Sequence, residues 1–239
     1  HVLPPEFQAG GQSALTAALQ DPEKRQIMRR RMETGSDFEN ISLLVGFENI
    51  LATSLTLPEH RALEGKSIAE IAAIQGKDPF DALFDLLAAE QCAPSMIDFI
   101  AAEEDIEDIL RAPFSTLISD ATYPDSGLLH PRVYGSAVRL LETYVREKGV
   151  LTLPQAVHKL TRQAADRYGL PKKGRLAVGA DADLCLFDLA ALHEKGTWQQ
   201  PRQLAAGMDY VFVGGQPVIA EGEFTGAMPG KILRRTEKM

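Results

Sequence analysis

The sequence predicts an α/β fold that gives way to short strands and turns near the C-terminus. Two Asp-Pro pairs open amphipathic helical stretches, two apolar segments flank an acidic helix in the middle of the chain, and strand patterns dominate after Gly174. The chain has 239 residues, of which 45% are hydrophobic and 24% charged. That length allows one large domain or one and a half, and that composition excludes general intrinsic disorder.

Two helices are predicted to begin at the Asp-Pro pairs. Asp21 is a suitable N-cap with Pro22 in the first helical position, and the amphipathic pattern continues to Met32. Asp78 and Pro79 start the second helix in the same way. Its apolar residues recur at i, i+3, i+4 and i+7, the period of a helix with one buried face: Phe80, Leu83, Phe84 and Leu87.

The middle of the chain predicts a compact βαβ unit. Residues 95–100 (SMIDFI) and 114–118 (FSTLI) are short, apolar and typical of strands, as is the segment 48–55. Residues 103–111 (EEDIEDILR) predict a short helix with acidic residues in its first turn. A strand, a helix and a strand in close succession indicate parallel strands.

The remaining elements follow a loop at 121–129. Helices are predicted at 136–147 and at 153–168, the second opened by a capping box at Thr152 and closed by Gly169. Strands are predicted at 182–187, 210–213 and 217–220, the last two joined by a Gly214-Gly215 turn. The change in character predicts two parts, residues 1–173 and residues 174–239.

Charge, cysteines and hydropathy exclude several classes of protein. Lys and Arg number 25 and Asp and Glu 33, a net charge of −8 that argues against a nucleic-acid surface. No apolar stretch approaches the roughly 18 residues of a membrane helix, and no signal peptide is recognised. Cys92 and Cys185 stand in apolar contexts, so we expect both to be buried in a reducing, cytoplasmic protein.

Asp120 is the first candidate for a catalytic group. It follows the predicted strand 114–118 and precedes a loop. Catalytic groups of parallel α/β folds project from this position, where a carboxylate can transfer protons or bind a metal. The alternative is that Asp120 caps the next turn through its side chain.

Three residues after the loop are candidates for substrate binding. Arg132 could bind a substrate carboxylate through its planar guanidinium, or it could be a surface residue paired with Asp125. Tyr134 could donate a hydrogen bond to a ligand, and His130 is better suited to organise the loop than to bind a metal. The five histidines have no metal-ligand spacing, and nucleophile-elbow and phosphate-loop motifs are absent, so no complete active site is evident.

Taken in order, several segments resemble the N-acyl-D-amino-acid deacylases (D-aminoacylases) of the amidohydrolase superfamily. The narrower motif is Ser119-Asp120 followed by His130-Pro131-Arg132-Val133-Tyr134-Gly135, and the segment 174–184 is common to the superfamily. Residues 3–23, 153–170 and 226–233 also match the family. The resemblance implies the C-terminal part of a (β/α)₈ barrel that carries zinc, with part of a small β-sandwich. It also implies that Asp120 is the catalytic aspartate and that Arg132, with Tyr134 and His130 nearby, binds the carboxylate of an N-acyl amino acid.

The resemblance further implies that the metal ligands, including a His-x-His motif, lie upstream of His1 in a missing N-terminal half. We therefore expect no metal ligands here and an inactive isolated chain. Two alternatives remain open: a hydrolase of cyclic amides such as hydantoins or dihydropyrimidines, and a non-catalytic scaffold module. A partial barrel would expose edge strands and apolar faces, so a homo-oligomer is also conceivable.

Overall fold

The computed structural model describes residues 2–35, 37–123 and 127–233. The chain divides into two units. Unit 1 comprises His1–Ala101 and Thr122–His130, and unit 2 comprises Ala102–Ala121 and Pro131–Met239. The boundary near residue 174 stays a prediction.

Unit 1 packs six helices against a two-stranded sheet. In chain order its elements are α1 (Pro5–Gln8), α2 (Gly11–Leu19), α3 (Pro22–Thr34), α4 (Ile41–Val45), β1 (Ile50–Thr53), α5 (Ile68–Gln75), α6 (Pro79–Ala89) and β2 (Ser95–Asp98), with 3₁₀ turns at Phe47–Asn49 and Pro58–Leu63. Both Asp-Pro helices are confirmed. The Asp21 carboxylate accepts from the N–H of Glu23, and Asp78 accepts from the N–H of Phe80.

The core of unit 1 forms where the helices and the sheet meet. Its fully buried side chains include Leu19, Met28, Ile71 and Phe84, contributed by four different helices. Phe84 lies on the apolar face that the i, i+3, i+4 spacing predicts. The helical period therefore identified the buried face of α6 correctly.

The predicted βαβ unit is wrong. β2 pairs with β1 in antiparallel register, from Ile50 opposite Asp98 to Thr53 opposite Ser95. Residues 114–118 form no strand, and Phe114 and Ile118 are exposed. A strand needs a neighbouring strand that pairs with its backbone N–H and C=O groups. Here the side chains of Lys159 and Gln163 donate to carbonyls of residues 112–115.

A buried carboxylate organises the loop that follows β1. The side chain of Glu90 is fully buried. Its carboxylate accepts hydrogen bonds from the Thr56 N–H (2.9 Å), the Thr56 hydroxyl (2.6 Å), the Leu57 N–H (3.1 Å) and His60 Nδ1 (2.8 Å). Burial by itself raises the pKa of Glu90. The hydrogen bonds from Thr56, His60 and Leu57 outweigh burial and lower the pKa to about 2.

Stability at low pH is expected to depend on Glu90. Its pKa falls on folding from 4.5 to about 2, so its contribution is complete above about pH 4.5 and is lost as the pH falls through 2. The contribution is on the order of 3 kcal/mol. Urea unfolding at pH 7 and pH 3 should show a smaller pH dependence in Glu90→Gln than in the wild type. Glu59→Gln, exposed on the same loop, should keep the wild-type dependence; equal dependence in all three proteins would contradict the assignment.

Unit 2 consists of a helical layer followed by an antiparallel sheet. Its elements are α7 (Glu103–Arg111), α8 (Arg132–Arg139), a π-helical segment (Leu140–Glu147), α9 (Leu153–Leu160), α10 (Arg162–Tyr168), β3 (Leu184–Phe187), β4 (Met208–Val213), β5 (Gln216–Ala220) and β6 (Glu223–Phe224). The sheet order is β3-β4-β5-β6. Gly214 and Gly215, with φ of 58° and 83°, form the predicted hairpin turn.

The helix predicted over 153–168 is interrupted. Thr161 has φ −129° and ψ −86°, which separates α9 from α10. The Thr161 hydroxyl donates to the Val157 carbonyl at 2.6 Å. A side chain thus bonds to a carbonyl in the last turn of α9 to which a backbone N–H would donate in a continuous helix. The predicted stop is confirmed, because Gly169 adopts the left-handed conformation directly after Tyr168.

Burial of the cysteines differs from the expectation. Cys92 is half-buried, and Cys185, on the edge strand β3 of the described sheet, is exposed. Over the described residues, no helix is both long and apolar enough to cross a membrane. The cytoplasmic location stays a prediction.

Candidate active site

The structure brings together two of the residues singled out from the sequence. Asp120 lies in the segment between α7 and α8, and its Oδ2 is 3.0 Å from a terminal guanidinium nitrogen of Arg132. Arg132 is the first residue of α8. The two side chains are 73% and 41% exposed, so the pair is open to a ligand from solvent.

The backbone of Asp120 is strained. Its φ of +46° lies in the left-handed region, which non-glycine residues adopt rarely and Asp more readily than most. Within the described residues, no backbone N–H donates to its carboxylate, as turn capping would require. Conformations of this kind cost about 1–3 kcal/mol and occur preferentially at functional sites. Strain and the Arg132 contact together favour a functional role over turn capping.

The start of α8 presents positive charge beside Asp120. Arg132 contributes its guanidinium, and the N-terminus of α8 is the positive end of the helix dipole. A planar guanidinium has five donors, so it can contact Asp120 and still bind a second carboxylate. The arrangement is therefore suited to an anionic group of a small molecule.

Tyr134 and His130 are the other two predicted binding residues. Tyr134 lies in α8 and is 36% exposed, and its N–H donates to the Pro131 carbonyl at 3.1 Å. His130 belongs to unit 1 and is half-buried. Their roles in substrate binding stay predictions. Asp125, the alternative partner of Arg132, lies outside the described residues.

Lys159, which the sequence did not single out as a functional residue, anchors the segment that leads to Asp120. Its buried ammonium donates to the Ala112 carbonyl (2.6 Å), the Ser115 carbonyl (3.0 Å) and the Ser115 hydroxyl (2.9 Å). Gln163 donates to the carbonyls of Pro113 and Ser115, both at 3.0 Å. Burial lowers the pKa of Lys159. Within 114–118, the Ser115 carbonyl is thus bonded by two side chains and not by a neighbouring strand.

A second cluster ties the π-helical segment to the region before β4. The buried Glu142 accepts from Arg146 (2.9 Å), His193 Nδ1 (2.8 Å) and the Glu194 N–H (2.6 Å). Burial by itself raises the pKa of Glu142, and the bonds from His193 and Glu194 outweigh it, so the pKa is lowered. The i, i+4 spacing of Glu142 and Arg146 is the one part of this cluster visible in the sequence.

The described residues do not form a metal site. In residues 2–35, 37–123 and 127–233, no three side chains of His, Cys, Asp or Glu are grouped closely enough to hold a metal ion. Asp120 offers one carboxylate, and its close neighbour is the cation of Arg132. A metal used by this site would need ligands from elsewhere.

Comparison with known proteins places this architecture in a family. Residues 52–219 match the family model described as "Amidohydrolase family", and the chain belongs to that family. A D-aminoacylase of Alcaligenes xylosoxydans xylosoxydans is 36% identical to it over 194 residues, which cover 81% of this chain and 38% of that protein. The resemblance to the D-aminoacylases is thus confirmed, and the chain spans well under half the length of this relative.

Solved structures give the same result. A D-aminoacylase variant crystallised with copper chloride superimposes with a TM-score of 0.70 at 31% identity, over 81% of this chain and 39% of that one. N-acyl-D-glutamate deacylase from Bordetella bronchiseptica, complexed with zinc and a phosphonate mimic of the tetrahedral intermediate, gives 0.65 at 30% identity, over 81% and 37%. The similarity to these structures is consistent with this chain forming part of a TIM barrel.

Proposed function

We propose that this chain forms the C-terminal part of a metal-dependent amidohydrolase that removes the acyl group from N-acyl-D-amino acids. The observation that carries the proposal is the Asp120–Arg132 pair, which combines a proton-transfer group with a carboxylate-binding group. Similarity to D-aminoacylases supports the substrate class. In the proposed fold the chain contributes part of a (β/α)₈ barrel and strands of a small β-sandwich.

The proposed role of Asp120 is general base and then general acid. Its carboxylate takes a proton from the attacking water as the new C–O bond forms at the amide carbonyl. It then gives this proton to the amine nitrogen as the C–N bond breaks, so the proton is returned and the carboxylate is regenerated. General acid–base catalysis of this kind contributes about 10²–10⁴-fold.

The proposed role of Arg132 is to hold the α-carboxylate of the substrate. The contact with Asp120 keeps the guanidinium at the site before substrate binds, and the planar guanidinium then pairs with the substrate carboxylate. In the complete protein, ligands from outside the described residues would hold a metal ion, of which zinc is one possibility. A metal ion supplies activation of water and polarisation of the carbonyl.

The test is an activity assay on the complete protein that contains this chain. N-acetyl-D-amino acids should be hydrolysed with release of the free amino acid, and the L-enantiomers should not. Chelation should abolish the activity and zinc should restore it, whereas the 239-residue chain alone should be inactive. Ring opening of hydantoin or dihydropyrimidine without cleavage of linear amides would support the cyclic-amide alternative. Absence of hydrolysis of both classes by the metal-loaded protein would favour the scaffold alternative.

A further inference from the structure

Unit 1 contains a cavity of about 550 Å³ that no step of the proposed reaction uses. Ligand sites typically measure roughly 300–1,000 Å³ and have mainly apolar walls. The half-buried apolar residues that line it are Val2, Leu15, Leu51, Leu87, Cys92 and Met96. The exposed Gln8 and Ser95 also line the cavity, so it reaches the surface.

One wall of the cavity carries a single charged residue. Asp98 lies opposite Ile50, and Met96 lies opposite Ala52, so these four side chains share one face of the β1–β2 sheet. All four line the cavity. Among the described residues, no Lys or Arg does so.

The Asp98 carboxylate is half-buried. Within the described part of the chain, it accepts no hydrogen bond and forms no ion pair. Two other carboxylates of unit 1 are satisfied: Glu64 accepts three backbone N–H bonds, and Glu90 accepts four bonds. A carboxylate in an apolar wall is unfavourable unless a donor or a cation reaches it.

We propose that this cavity binds a molecule with a linear aliphatic body and a primary ammonium group. The aliphatic body lies against the side chains around Leu87 and Met96, and the ammonium pairs with Asp98. The described lining contains no aromatic ring, which favours a flexible aliphatic chain over a stacked planar ligand. The site requires neither Asp120 nor Arg132, since both belong to unit 2, so it goes beyond the proposed hydrolase function.

The test compares three probes of equal length on the intact protein by titration calorimetry. Octylammonium should bind about tenfold more tightly than 1-octanol, because its charged donor meets the carboxylate, and octanoate should bind most weakly. Asp98→Asn should remove the preference for octylammonium over octanol while leaving octanol binding unchanged. Asp81→Asn, an exposed acidic residue on α6, should keep the wild-type order. Because the three-probe order is measured on the wild type, the test does not depend on the variant folding.

Cys92 provides a local readout of the same event. These 239 residues contain two cysteines, so in Cys185→Ser the half-buried Cys92 is the one thiol of this part of the protein, and its alkylation is followed on the peptide that contains it. Octylammonium should slow alkylation of Cys92 by N-ethylmaleimide, and Asp98→Asn should weaken this protection. Equal affinity for the three probes, or binding without protection of Cys92, would overturn the proposal.

Discussion

Asp120→Asn in the complete enzyme is expected to lower kcat by about 10²–10⁴-fold, the usual contribution of a general acid–base group. Asn retains the size of Asp and tolerates the left-handed backbone that Asp120 adopts, so the fold should persist. The loss of an exposed ion pair costs at most about 1 kcal/mol in stability. Bound metal should be retained, as measured by elemental analysis. KM should change much less than kcat, because the Asn amide oxygen can still accept from Arg132, whereas the carboxylate needed in the chemical step is lost.

The chain offers a matched control for this substitution. Asp108 pairs with Arg111 at 3.0 Å, the same distance as Asp120 to Arg132, and its side chain is 82% exposed against 73% for Asp120. Asp108→Asn removes an equivalent surface pair in the same unit, and we expect it to leave kcat unchanged. Full activity of Asp120→Asn would show that this carboxylate only pairs with Arg132, and the proposed mechanism would then fail.

Features that depend on local sequence were predicted well. The caps at Asp21 and Asp78 act on N–H groups two or three residues away, so the bounds of α3 and α6 follow from short stretches of sequence. The hairpin turn at Gly214-Gly215 is equally local, because both residues need positive φ. In each case the energy that fixes the element comes from neighbours along the chain.

Features that depend on distant partners were not predictable. Residues 114–118 have the composition of a strand, yet their segment is held by Lys159 and Gln163, more than forty residues away. Glu142 and His193 are 51 residues apart, and nothing in either stretch indicates their contact. Strand pairing and buried polar clusters are decided by tertiary structure, which periodicity does not report.

The candidate site lies between these two cases. The prediction that residues 114–118 form a strand ending before Asp120 is wrong, so the positional argument for Asp120 does not hold in its original form. In the structure, Asp120 lies beside Arg132 at the start of α8, although the two residues are twelve positions apart in the sequence. The family resemblance, and not the strand pattern, is what assigned a site role to both residues, and these roles stay predictions.

Arg132→Met in the complete enzyme is expected to raise KM roughly 10- to 100-fold for substrates with a free α-carboxylate, since a hydrogen-bonded charge pair contributes about 1.5–3 kcal/mol. The measurement is steady-state kinetics on an N-acyl-D-amino acid and on its carboxamide, in which the negative charge is absent. Wild type should prefer the acid, whereas Arg132→Met should treat the two alike. Arg111→Met, which breaks the matched Asp108–Arg111 pair, should keep the wild-type preference.

The result of this comparison decides between the deacylase and the cyclic-amide alternatives. Hydantoin and dihydropyrimidine have no free carboxylate, so an enzyme that opens these rings needs no arginine for such a group. An arginine that serves only the fold would affect acid and carboxamide equally when it is replaced. Acid and carboxamide are compared on the same variant, so general damage to the protein lowers kcat/KM for both substrates equally. A lower kcat/KM for the acid alone therefore reports on carboxylate binding. An equal loss for both substrates would remove the carboxylate-binding role of Arg132 and, with it, the main structural reason to favour amino-acid substrates over cyclic amides.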